Sequence, residues 1–204
     1  MAGTQKTDTQ KPNTLKHRAV LALGSNLGES EDTLERAVAD LVAGGVQLVR
    51  ASGLYRTAPV GGPAGQPDFV NAVIEVTTDL GAYELLKLCN AVEAAHHRER
   101  LVRWGPRTLD IDVIDYDGVI SEDPVLTLPH PRAQERAFVL VPWAQMDPQA
   151  LLTVTRRAEP SGERLDEVPA PLSREVVNVA ELSRTLVGAD EDAISYMREM
   201  KVPD

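Results

Sequence analysis

Arg103–Gly118 reads RWGPRTLDIDVIDYDG. Arg103 and Arg107 bracket a Gly105-Pro106 turn, and a run with strand character follows from Leu109 to Tyr116. Residues two apart on a strand share a face, so Asp110 and Asp112 project side by side while Ile111 and Val113 point the other way. By spacing alone this pair fits the solvated face of an amphipathic edge strand. It also fits a site in which a cation relieves the repulsion of two carboxylates. Mg²⁺ is commonly held by one or two carboxylates plus phosphate oxygens, and arginines suit those phosphates through bidentate hydrogen bonds. The surroundings favour the cation: His96 to Arg107 holds four arginines and one acid, in a chain of formal net charge -10. A basic patch beside paired acids in an acidic chain points to an anion site with a metal.

With 204 residues, 43% hydrophobic and 25% charged, the chain has the composition of one globular domain with its own core. The acidic balance (pI about 4.9) argues against nucleic acid or an anionic membrane as partner, though not against a local phosphate site. A single cysteine, Cys89, rules out an internal disulfide. The apolar run Ala19–Leu23 is too short for a signal or a membrane span, so the expected location is cytoplasmic.

Outward from the central stretch the chain divides as follows. Residues 1–17 are polar and aperiodic, read as a disordered leader. Ala19–Leu23 is a buried strand running into the turn Gly24-Ser25-Asn26-Leu27-Gly28. Leu34, Ala37, Val38, Leu41 and Val42 follow helical spacing, with Asp32 and Glu35 as a capping box and Gly44-Gly45 as the stop. Val46 to Arg56 reads as one strand, and Thr57–Pro67 as a long, charge-poor loop of the kind that forms lids. Phe69–Thr77 alternates as a strand; Leu85, Leu88, Cys89 and Val92 make one helical stripe, with Asn90 and Glu93 on another face. His96 and His97, adjacent at a helix end, point apart and form no chelate. Arg156 to Ser173 reads as irregular, and Val179–Leu186 and Asp192–Met200 as short amphipathic helices.

RWGPRTLDID resembles the signature of the 6-hydroxymethyl-7,8-dihydropterin pyrophosphokinase family. YRTAPVG with QPDFVNAV, and PHPRAQERAFVLVP, resemble its pterin-site loop and its P-H-x-x-x-x-x-R-x-F segment. The resemblance runs from about Val20 to Pro148. It implies an enzyme that moves the pyrophosphate of ATP, intact, onto the hydroxymethyl group of dihydropterin and releases AMP, a step of tetrahydrofolate biosynthesis. It places Gly24 near the pterin, Thr57 and Val60 in backbone contact with it, Asn71 on its polar edge, and Phe69 and Phe138 stacked against it. Trp104 packs the second face of that region and adjoins the nucleotide. Asn90, Glu93, Val113 and His130 fall on the nucleotide side, where Asn90 stands in place of a commoner Gln. Arg98, Arg100, Arg107 and Arg136 meet the phosphates, Arg98 and Arg107 as catalytic residues. Asp110 and Asp112 hold two Mg²⁺ ions.

The resemblance also implies an α+β fold, a ferredoxin-like three-layer sandwich with a central, mostly antiparallel sheet and mobile loops at Gly61–Pro67 and Arg98–Arg103. Pattern alone leaves doubly wound α/β open. The expected organisation is a catalytic domain over 18–150 and a C-terminal extension over 151–204 packed on it, the whole a monomer. Two rivals stand beside this reading. A two-metal nuclease would also use paired aspartates but would need a broad basic groove; a non-catalytic binding domain would be expected to lack an aspartate or arginine that is present here.

Overall fold

The structure is a computed structural model and describes residues 16–60, 63–96, 106–157, 172–187 and 194–203. Strand β1 (His17–Ser25) is the centre of the main sheet, flanked by β4 (Phe69–Thr78) and β5 (Asp110–Tyr116). Beyond β4 lie β2 (Val46–Ala51) and β3 (Gly53–Thr57), then β10 (Ile194–Glu199) on the outer edge of β3. Every pairing in this sheet among the described residues is antiparallel. Helices α1 (Ser30–Ala43) and α2 (Ala82–Ala95) cover one face, and α3 (Ala137–Met146), α4 (Val179–Val187) and the hairpin β8 (Leu151–Arg157) with β9 (Leu172–Asn178) belong to the other. That is the expected ferredoxin-like sandwich, with a small hairpin of β6 (Ser121–Glu122) and β7 (Thr127–Leu128) at one side.

Why β1 is apolar without alternation follows from its place. Ala19, Leu21 and Leu23 join Leu34, Val38, Leu41, Leu85 and Cys89 in one core; Val20 and Ala22 join Val139, Leu140 and Trp143 in the other. A strand covered on both faces buries both sets of side chains, and each fully buried leucine contributes roughly 1.5–3 kcal/mol. Cys89 belongs to the first core; burial pushes its thiol pKa up to about 12, so it packs as a small apolar residue. On β5, Ile111 and Val113 enter the same core, as the alternation requires. The same alternation puts Asp110, Asp112 and Ile114 on the other face, and a bulge where Leu21 pairs Val113 and Val20 pairs Asp115 then sends Tyr116 to the core opposite Ile114.

Several sequence expectations are revised. His17 is no leader residue: it pairs with Thr78 and bonds Asp117 at 2.6 Å; residues 1–15 lie outside the described residues. The helix starts at Ser30, two residues before Asp32, so no capping box forms. Asp32 instead sits in the first turn, where its charge complements the helix dipole, and Glu35 bonds Arg198 at 2.6 Å. The single strand over Val46–Arg56 breaks at Ser52, whose buried hydroxyl accepts the Val73 N–H at 2.9 Å while its own N–H donates to Val73 O. The final helix over Asp192–Met200 is a strand over Ile194–Glu199, because the open edge of β3 offers backbone partners to a segment carrying Ile194 and Tyr196. Residues 158–171, in the stretch read as irregular, lie outside the described residues, while Arg156 and Ser173 pair in the β8–β9 hairpin.

Candidate active site

Strand register builds the floor of the site. Gly24 on β1 is opposite Asn71 on β4 and Asp110 on β5; one step along, Ala22 is opposite Val73 and Asp112; Thr57 on β3 is opposite Phe69. Directly opposed residues of antiparallel strands share a face. Thr57, Phe69, Asn71, Gly24, Asp110 and Asp112 therefore line one polar end of the face whose other end is covered by α3. Gly24 keeps this floor level: a Cβ there would stand 3.0 Å from Asn71 Oδ1. Asn71 is buried, and its Nδ2 donates to Thr57 Oγ1 at 2.8 Å, so the amide is fixed before any ligand arrives. Phe69 is half-buried with the Arg107 guanidinium 5.9 Å from its ring centre. Val60, by contrast, is 70% exposed.

The two aspartates carry arginine partners. Arg107 Nη1 bonds Asp110 Oδ2, and Arg136 Nη1 donates to Asp112 Oδ2 at 2.8 Å. Arg136 also lies over the Phe138 ring, 5.4 Å from its centre, and Phe138 itself packs on the second core. His130 Nε2 is 3.8 Å from Asp112 Oδ2, too far for a hydrogen bond. Its Nδ1 accepts the Arg132 N–H at 3.2 Å, which leaves Nε2 as the proton-bearing nitrogen of the neutral ring. Burial depresses the His130 pKa; the Asp112 carboxylate works against that and the Arg136 charge adds to it.

A cleft of about 230 Å³ opens beside Asp112, lined by Asn90, Glu93, Val113, Val125, Thr127 and His130. Glu93 does more than line it. It is 4% exposed, and its Oε1 accepts the N–H of Ile111 at 2.7 Å. Ile111 lies between the two aspartates on the sheet's edge strand, and alternate N–H groups of an edge strand point away from its only neighbour. Glu93 thus caps an edge donor and fixes the strand that presents both carboxylates. In sequence Asn90 and Glu93 fall on a face apart from the apolar stripe, which by itself reads as solvated; the fold buries Glu93 there.

Asn26 was not foreseen either. It is 3% exposed; its Oδ1 accepts the Arg107 N–H at 2.8 Å, its Nδ2 donates to Pro67 O at 3.1 Å, and its own N–H donates to Arg107 O at 3.1 Å. In sequence it belongs to a glycine-flanked turn that resembles the family's G-S-N-x-G element, whose backbone lies near the pterin and phosphates; no role for its side chain followed from that. Of the expected site residues, Gly24, Thr57, Phe69, Asn71, Arg107, Asp110 and Asp112 come together on the floor and at its edge, with Arg136 and His130 beside Asp112 and with Asn90, Glu93 and Val113 around the cleft. Arg98, Arg100 and Trp104 lie outside the described residues, as do Gly61 and Gly62 of the first loop. No group of three or more His, Cys, Asp or Glu among the described residues could hold a metal unaided.

Comparison with known proteins extends this geometry. The family model for 7,8-dihydro-6-hydroxymethylpterin-pyrophosphokinase matches residues 20–148. A Methylorubrum extorquens protein named 2-amino-4-hydroxy-6-hydroxymethyldihydropteridine pyrophosphokinase is 45% identical over 136 residues, 66% of this chain and 85% of that one. A Mycobacterium leprae protein of the same name is 42% identical over 181 residues, covering 83% of this chain and 92% of its own length. A crystal structure of Plasmodium falciparum HPPK-DHPS with pteroate superposes with a TM-score of 0.60 at 12% identity, over 91% of this chain, which spans about half (47%) of that one. At that identity the superposition speaks for the fold alone.

Proposed function

This chain belongs to the 7,8-dihydro-6-hydroxymethylpterin-pyrophosphokinase family, and on that premise we propose that it transfers the pyrophosphate of ATP to the hydroxymethyl group of 6-hydroxymethyl-7,8-dihydropterin, giving AMP and the pterin diphosphate for tetrahydrofolate synthesis. The observation that carries the reading is the row Asn71–Gly24–Asp110 across three strands. It sets a group suited to a flat heterocycle's polar edge beside carboxylates suited to phosphate-bound cations. In this reading the chain works as a cytoplasmic monomer.

Pterin lies against Phe69, with Asn71 on its polar edge and Phe138 towards its other side; stacking and burial hold the ring while Asn71 sets its orientation. ATP occupies the cleft by Asn90, Glu93, Val113 and His130, its phosphates turned to Arg107 and Arg136; the family resemblance assigns Arg98, Arg100 and Trp104 to ATP as well. The donor set fits Mg²⁺, two ions in this reading: Asp110 and Asp112 offer hard oxygens on one face and would hold them together with phosphate oxygens. When bound, the ions draw charge off the β-phosphoryl oxygens and the leaving oxygen. Arg107 and Arg136 exchange their aspartate partners for phosphate oxygens, so positive charge is redistributed rather than imported. The hydroxymethyl oxygen forms a bond to the β-phosphorus, the bond from that phosphorus to the α–β bridging oxygen breaks, and AMP departs with that oxygen. The hydroxyl proton leaves through the Asp110–Asp112 pair. Most of the rate then comes from positioning and charge stabilisation.

The test is AMP release from ATP and Mg²⁺ with and without 6-hydroxymethyl-7,8-dihydropterin. AMP that appears only with the pterin, in equal amount to pterin diphosphate, is the expected result. ADP as the product, or AMP formed regardless of pterin, would refute the reading.

A further inference from the structure

We propose that Asn26 is a positioning residue that couples the pterin side of the site to its phosphate side; the inference rests on the reading of the preceding subsection. Asn26 follows the end of β1 and bonds two loops at once. Pro67, whose carbonyl takes the Nδ2 hydrogen, stands two residues before Phe69. Arg107, whose N–H bonds Oδ1, carries the guanidinium that meets both Asp110 and the Phe69 ring. The amide cannot be turned over: a flip would set NH₂ against the Arg107 N–H and an oxygen against the Pro67 carbonyl. The backbone N–H to Arg107 O closes a second bond to the same residue, so Arg107 is held through both peptide groups that flank its Cα. At 3% exposure these bonds do not exchange with water, and a lost partner leaves a buried polar group unsatisfied.

Transfer between two bound substrates needs that rigidity. The attacking oxygen and the phosphorus must meet at about 3–3.5 Å, and a misplacement of about 1 Å costs on the order of a hundredfold in rate. One loop seats the ring that carries the hydroxyl; the other seats the arginine that holds the phosphates. Asn26 fixes their separation through one planar group, a task that needs a donor and an acceptor on adjacent atoms of a short side chain. Gln is a methylene too long, Ser lacks the second polar atom, and Asp lacks the donor.

Asp serves to separate the two arms. Asn26→Asp keeps an acceptor for the Arg107 N–H but sets a carboxylate oxygen against the Pro67 carbonyl, cutting only the pterin arm. Asn26→Ala cuts both. Steady-state kinetics on the full chain, with melting temperature recorded alongside, should show Asn26→Asp raising the KM for pterin by about tenfold, the equivalent of one lost hydrogen bond. The KM for ATP should stay within about twofold. Asn26→Ala should in addition lower kcat by about a hundredfold. If Asn26→Ala does not fold, Asn26→Asp alone decides. Equal shifts in both KM values, or no shift in either, would overturn the coupling and leave Asn26 a structural residue. An unmutated chain that makes no AMP would instead refute the family reaction, so the two failures are distinct.

Discussion

Gly24 has the least to offer chemically and decides the shape of the floor: any side chain there crowds the oxygen of the amide that Thr57 holds. At this scale the sequence was most legible where residues act as neighbours. Asp110 and Asp112 could be placed on one face from spacing alone, since a strand's alternation admits nothing else. That each pairs with an arginine was half legible: Arg107 lies three residues from Asp110, but Arg136 reaches Asp112 only through the fold. Replacing Asp110 or Asp112 by Ala should therefore reduce kcat by at least about a hundredfold, because the cation loses its protein ligand, while the melting temperature moves by only a few degrees. Stopped assays for AMP across a Mg²⁺ titration measure this; near-normal Mg²⁺-dependent turnover in both variants would remove these carboxylates from the site.

Elements are tied together by charge as well as by apolar packing. Glu75 on β4 is 5% exposed and takes guanidinium bonds from Arg18 on β1 (2.8 Å) and Arg50 on β2; Arg50 also reaches Asp147 at the end of α3 (2.9 Å). Burial alone would raise the Glu75 pKa, but the bonds from Arg18 and Arg50 outweigh it and hold the carboxyl below its ordinary 4.5. A carboxyl whose folded pKa is depressed contributes stability that is present above its unfolded pKa and lost as pH falls through the folded value. Arg50→Ala should destabilise the protein by about 1–2 kcal/mol at pH 7, less than a fully buried pair would cost, because Arg50 is 41% exposed and Arg18 remains. Denaturant titrations should show the gap to the parent narrowing below about pH 4.5 as Glu75 protonates in the unfolded chain; a gap independent of pH would mean Arg50 acts through its packing alone. None of this was legible in sequence, where Arg50 and Glu75 are simply charges on two alternating strands. Long-range register decides that they meet.

At the scale of the molecule, β1, α1, β4, α2, β5 and α4 were legible in order, while α3, the β6–β7 hairpin and the break between β2 and β3 were not. The tail was expected to be helical where it is a strand, since short segments such as Ile194–Glu199 take their conformation from the edge that receives them. Its anchorage is ionic: Arg198 bonds Glu31 at 2.8 Å and Glu35 at 2.6 Å, and the Lys201 N–H bonds Glu35 at 2.9 Å, clasping α1 from the far end of the chain. Arg198→Ala should cost roughly 1–2 kcal/mol, a fall of about 2–8 °C in melting temperature for a chain of this size, with kcat within about twofold. A variant that melts with its parent would show that pairing with β3 holds the tail unaided.

One residue at the centre of this arrangement gives the molecule a chemical property that no surface group shares. Cys89, the only thiol in the chain, is sealed between α2 and the sheet, with its pKa pushed up to about 12. A thiol reagent reacts with the thiolate and needs access to it, so the folded protein is silent to such reagents and each modification records one opening of the α2 layer. The interval between openings becomes readable as the lifetime of a sulfhydryl, one timepiece per molecule, and a ligand that binds only the closed form must lengthen it by a factor of one plus the ratio of free ligand to Kd, tenfold for each ~1.4 kcal/mol of stability it adds.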